Sequence, residues 1–142
     1  MNRSKALLAA TLVLAVASAC STIRPTDFGL ADSHRDLAEA KLTNGETEIA
    51  IKEYKIAIKI NPDDPESHYG LAEAYRRKAM LSDTERELRE TLRLDPEHHE
   101  ARLALGVTFL QMERWNDAAA EFDRLANDPT FVRPTRALVG HI

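Results

Sequence analysis

The chain has 142 residues and a formal net charge of −4, with charged residues at 30% and aromatics at only 6%. That is enough for one modest domain, and the acidic balance excludes the basic face a nucleic-acid binder needs. A single cysteine, Cys20, closes no intrachain disulfide, so a stapled secreted fold is excluded as well.

The chain opens with Arg3 and Lys5, then an apolar run from Ala6 to Val16 broken only by Thr11, then the small residues Ala17, Ser18 and Ala19. That order is the three-part pattern of a secretory signal. As a helix the apolar run covers roughly 17 Å, well short of the ~30 Å hydrocarbon core, so a permanent membrane span is not expected. The small residues lead directly into Cys20. This stretch resembles the lipobox of bacterial lipoproteins, although Ala17 stands where that family usually has Leu. The resemblance implies cleavage after residue 19 and lipidation of Cys20. Ser21 rather than Asp after the cysteine implies sorting to the outer membrane, with palmitate among the acyl chains. Loss of residues 1–19 takes the net charge from −4 to about −6. Residues 20–30, with Pro25 and Gly29, read as a short tether.

Beyond the tether the sequence repeats. IKINPDDPESHYGLAEAY (58–75) aligns without gaps to LRLDPEHHEARLALGVTF (92–109) at an offset of 34. Extending the register gives units at 31–64, 65–98 and 99–132, and a partial fourth at 133–142. The seventh column holds Leu37, Leu71, Leu105 and Val139, and the eighth Ala38, Ala72, Gly106 and Gly140. The twentieth holds Ala50, Thr84 and Ala118; the twenty-fourth Tyr54, Leu88 and Phe122. Small residues at the eighth and twentieth columns allow two antiparallel helices to approach, with large ones filling the space beside them. Pro62 and Pro96 end the second helix of their units. Asp64-Pro65-Glu66 reads as cap, first helical position and favourable acid. Ser82 and Glu85 have capping-box spacing.

These columns resemble the tetratricopeptide repeat, a helix-turn-helix unit of that length. The expected fold is all-α: a solenoid of stacked antiparallel helix pairs, about three repeats plus a partial fourth. Three departures from the family pattern stand out. Lys41 replaces the aromatic of Tyr75 and Phe109, which predicts a wetter edge on the first unit. His34, His68, Arg102 and Arg136 fill a column where the family prefers bulky apolar residues. The fourth unit begins a first helix and stops, as in a truncated array.

Chemistry has little support. HRDL at 34–37 resembles the kinase catalytic loop, but Lys41 stands where its asparagine is needed and no phosphate loop accompanies it. Adjacent His98 and His99 point about 100° apart on a helix, and no metal-ligand spacing supports a zinc site; both read as solvated residues at a helix start. Arg76, Arg77 and Lys78 suit the negative end of a first helix. Trp115 is expected to pack over its own hairpin. No catalytic residue, metal or cofactor is expected.

What remains is surface. By the family's geometry the first helices line a concave groove. The groove columns carry Glu66, Tyr69, Glu73, Arg76 and Arg77 in the second unit, and Glu100, Leu103, Val107, Leu110 and Gln111 in the third. Leu105 and Phe109 already supply the core of that last helix, so Leu103, Val107 and Leu110 form a surplus apolar stripe. Either a peptide docks there or a neighbouring first helix, such as a fourth unit, buries it. An outer-membrane anchor plus this array resembles the type IV pilus biogenesis/stability lipoproteins, or pilotins; FDRLANDPTFVRPTRALVG also looks like that family's segment after the third repeat. The resemblance implies a scaffold whose groove (Tyr69, Glu73, Arg76, Leu103, Val107, Leu110) captures a secretin segment. The alternative is a periplasmic adaptor lipoprotein that gathers envelope proteases or cell-wall enzymes.

Overall fold

The structure, a computed structural model, describes residues 25–132. Cys20, the signal-like leader and residues 133–142 lie outside the described residues. The helices are α1 (Pro25–Thr43), α2 (Thr47–Ile60), α3 (Pro65–Arg77), α4 (Leu81–Leu94), α5 (His99–Gln111), α6 (Trp115–Ala126) and the short α7 (Pro129–Val132). Their closest packing is within three successive hairpins, α1 with α2, α3 with α4 and α5 with α6. The hairpins stack in chain order, α3 on α2 and α5 on α4. This is the expected all-α solenoid.

Each hairpin turns in the same way. The fifteenth column holds Gly45, Ala79 and Glu113, with φ of 81°, 57° and 59°. In each case the next N–H bonds back to the carbonyl five residues before it: Glu46 to Lys41, Met80 to Tyr75 and Arg114 to Phe109, at 2.9, 3.0 and 2.8 Å. This is a left-handed helix stop that satisfies carbonyls the first helix leaves free. It fixes where the second helix begins and so overrides the expected capping box. Met80 becomes the N-cap of α4 with no side-chain bond, which leaves Ser82 inside the first turn. The Glu85 carboxylate goes instead to Arg89 and Arg114, both at 2.8 Å.

The expected cap of α3 forms. Asp64 accepts from the Ser67 N–H at 3.2 Å and from its hydroxyl at 2.6 Å, with Pro65 at the first position. Asp64 also receives Arg35 at 3.0 Å. Burial opposes the carboxylate's charge, but the Ser67 and Arg35 bonds outweigh it and hold Asp64 below its usual range.

Two apolar clusters make the core. One joins Ala38, Leu42, Ala50, Ile51 and Tyr54 of the first hairpin to Leu71, Ala74 and Tyr75 of α3. The other joins Ala72 and Leu88 of the second to Ala101, Leu105, Phe109 and Ala118 of the third. Close approach is literal at Gly106 of the eighth column and at Gly70, two columns earlier in its unit. A Cβ on Gly106 would fall 2.5 Å from the Phe122 ring, and one on Gly70 would fall 2.3 Å from the Tyr54 ring.

Three expectations change. Leu37 shares a column with the buried Leu71 and Leu105 yet is 43% exposed, because that column packs backward onto the preceding second helix and no described helix precedes α1. Residues 25–30, read as tether, form the first turns of α1, where proline is tolerated and Ser33 donates to the Gly29 carbonyl at 2.8 Å. Trp115 is 62% exposed. It stands at the first position of α6, where a side chain tilts toward the helix start and out past the end of the hairpin.

Candidate interaction groove

The column of His34, His68 and Arg102 makes one side-chain contact with a carboxylate per hairpin, always with the acid nineteen residues later. His34 meets Glu53 at 2.6 Å, His68 meets Glu87 at 2.8 Å and Arg102 meets Glu121 at 3.2 Å. The departure from an apolar family column is thus a consistent substitution of a polar side-chain pair for a packing contact. These pairs tie α1 to α2, α3 to α4 and α5 to α6, so they position the first helices that carry the groove.

Between α1 and α3 lies a cleft lined by Arg35, Asp36 and Glu39 on one side and Tyr69, Glu73 and Arg77 on the other. Most of its cations are already engaged. Arg35 is held by Asp32 and Asp64, each at 3.0 Å, and Arg77 caps the end of α1 through the Leu42 carbonyl. Arg76 forms a two-bond fork on Glu73 at 3.0 and 2.6 Å. Glu66 and Tyr69 continue this cleft into a second hollow at the start of α5, completed by Asp95, Glu97, His98 and Glu100. Burial raises the Tyr69 phenol above its ordinary pKa, and the negative charges of Glu73 and Glu100 push it the same way.

Of the residues expected in the groove, Tyr69 and Glu73 line the α1–α3 cleft together, and Arg76 is bound to Glu73. Leu103, Val107 and Leu110 are 46%, 37% and 39% exposed and share one face of α5 at four- and three-residue spacing. Leu105 and Phe109 are buried beneath. His98 and His99 were expected to be solvated. His98 is instead buried: its Nδ1 accepts the Ala101 N–H at 3.1 Å as the cap of α5, and its ring lies 4.7 Å from that of Tyr69. The signal was present, since His98 occupies the same column as the capping Asp64. His99 binds the Thr130 hydroxyl at 2.9 Å. Among the described residues no group of three or more His, Cys, Asp or Glu side chains is placed to hold a metal ion, and no helix is long and apolar enough to cross a membrane.

Comparison with known families settles the repeat. Residues 38–78 match the family described as TPR repeat, and residues 82–130 match the one described as tetratricopeptide repeat. Together the two matches cover more than half of the sequence. This chain is a tetratricopeptide-repeat protein. A search of curated proteins finds no match. Solved structures of similar fold include the second TPR of Spaghetti (RPAP3) bound to an HSP90 peptide, with 20% identity and a TM-score of 0.67 over 69% of this chain and 91% of that one. The Arabidopsis OM64 TPR domain has 20% identity and a TM-score of 0.69 over 73% and 87%. The N-terminal domain of stress-induced protein-1 from C. elegans has 19% identity and a TM-score of 0.68 over 81% and 98%. At these identities the likeness is one of fold.

Proposed function

We propose that this tetratricopeptide-repeat protein is a non-catalytic, membrane-anchored scaffold that holds a segment of a protein partner in the groove of its first helices. The observation that carries the reading is the stripe of Leu103, Val107 and Leu110, exposed on a helix whose core is already filled by Leu105 and Phe109. Apolar side chains in that arrangement are a natural dock for a peptide. Spaghetti (RPAP3), of similar fold, is seen bound to an HSP90 peptide, which supports the general mode. Lipidation of Cys20 would fix the scaffold to the periplasmic face of the outer membrane, as in the pilotin resemblance. The partner there is a secretin segment, which the scaffold escorts during type IV pilus assembly.

The test is an affinity capture from envelope membranes with the lipidated protein, beside the Leu103→Asp/Leu110→Asp variant checked for an unchanged circular-dichroism spectrum. A secretin recovered by the wild type and lost by the variant is the expected result. Recovery of envelope proteases or cell-wall enzymes instead would replace the secretin reading with the adaptor one. Equal capture by both proteins would remove the stripe from the site. Incorporation of radiolabelled palmitate into the wild type but not into Cys20→Ala checks the anchor.

A further inference from the structure

Two chemically different surfaces adjoin along α5. At the start of α5, four carboxylates (Glu66, Asp95, Glu97 and Glu100) surround the Tyr69 and His98 rings. None of the four pairs with a lysine or arginine among the described residues. Their basic neighbour is His98, whose Nδ1 is occupied by the Ala101 N–H and whose Nε2 lies 3.6 Å from Glu66. Nearby cations are engaged elsewhere: Arg93 on Glu90 and Arg102 on Glu121. The half-buried Tyr69 ring adds an aromatic face of the kind that attracts ammonium and guanidinium groups. One turn further along α5 the chemistry changes. Leu103, Val107 and Leu110 are exposed and span about 10 Å of helix.

We infer that the groove takes a helical peptide segment in which an arginine or lysine stands about one turn from apolar residues spaced three and four apart. The basic side chain sits among Glu66, Tyr69, Glu97 and Glu100, and the apolar residues lie on the α5 stripe. Charge complementarity argues for this occupant, since an acidic or neutral segment would leave the four carboxylates uncompensated beside it. The inference rests on the groove reading above and adds the chemistry of the partner.

A random-peptide library displayed on phage and selected on the immobilised full chain tests it. The expected result is enrichment of peptides with Arg or Lys flanking apolar positions at that spacing. By fluorescence anisotropy, a selected peptide should bind Glu97→Gln/Glu100→Gln about tenfold more weakly, with the loss shrinking as salt rises. Leu103→Asp/Leu110→Asp should abolish binding while the melting curve stays cooperative. Selected peptides that are neutral or acidic but still need the leucines overturn the inference and leave the groove reading intact. Peptides indifferent to the leucines overturn both. A selection that yields no binder overturns the inference too: hydrogen exchange then shows whether residues 133–142 cover the stripe, and sedimentation shows whether a second copy does.

Discussion

His68 presents both ring nitrogens to acceptors: Nδ1 to Glu87 at 2.8 Å and Nε2 to the Pro62 carbonyl at 3.1 Å. Only the imidazolium can donate both bonds. Burial works against that charge, yet the Glu87 and Pro62 bonds outweigh it, so the His68 pKa lies above its ordinary 6.5. Burial likewise opposes the Glu87 carboxylate, and the bonds from His68 and Arg86 outweigh it to hold its pKa below 4.5. The linkage signs follow. The His68 contribution is complete below pH 6.5 and is lost as pH rises through the raised value. The Glu87 contribution is complete above 4.5 and is lost as pH falls through the lowered one. Thermal melts should therefore show this pair's stabilisation greatest between about pH 4.5 and 6.5. His68→Arg, copying Arg102 of the next hairpin, should flatten the decline above pH 6.5. A decline unchanged in that variant would assign it to other groups. At the neighbouring cap, Asp64→Ala should cost about 1 kcal/mol in urea unfolding, and Asp64→Asn should recover part of it by keeping an acceptor for Ser67.

Two details of the helices set their stability. Ala79 and Glu113 occupy the left-handed position that Gly45 fills in the first hairpin, a conformation in which a Cβ is unfavourable. Ala79→Gly should stabilise the chain by about 0.5–1 kcal/mol, read as a raised melting temperature; a lowered one would mean Ala79 is not strained. In the third hairpin Gly106 faces the Phe122 ring, whereas the equivalent pair in the second is Ala72 with Leu88. Gly106→Ala should cost about 1–3 kcal/mol by overpacking. Adding Phe122→Leu should restore part of that loss, and strict additivity of the two changes would refute the contact. In the second and third hairpins the repeat columns made this complementarity legible, because size at the eighth column trades against size at the twenty-fourth. The first hairpin has Ala38 and Tyr54 in those columns, and the Tyr54 ring lies against Gly70 of α3. The ends of α4 and α5 were less legible. A capping signal such as Ser82 gives way when a left-handed stop has already set the helix start, and His98 looked solvated because sequence alone does not show the Tyr69 ring waiting over it.

At the scale of the molecule, α3 belongs to both core clusters, through Leu71, Ala74 and Tyr75 on one side and Ala72 on the other. In a linear array, stability is a sum of neighbour contacts, so the middle should open last. Hydrogen exchange should find the slowest amides in α3 and α4 and the fastest in α7; slow exchange in α7 would show that a further element packs on it. Most of this architecture follows from the 34-residue register alone. The exposure of Leu37 did not, because Leu37 obeys the column rule while, among the described residues, no helix stands where that rule needs a neighbour. The groove was half legible. The apolar stripe could be counted off α5, but the carboxylate hollow needs the α4–α5 turn folded against α3.

The exposed Trp115 carries a practical consequence. It is the chain's one tryptophan, and on the native surface its indole already meets water. Its emission should change little on denaturation while remaining open to collisional quenchers, so a flat fluorescence trace would say nothing about whether the solenoid had unravelled. The same position makes it a ready optical reporter for anything that comes to rest against the third hairpin.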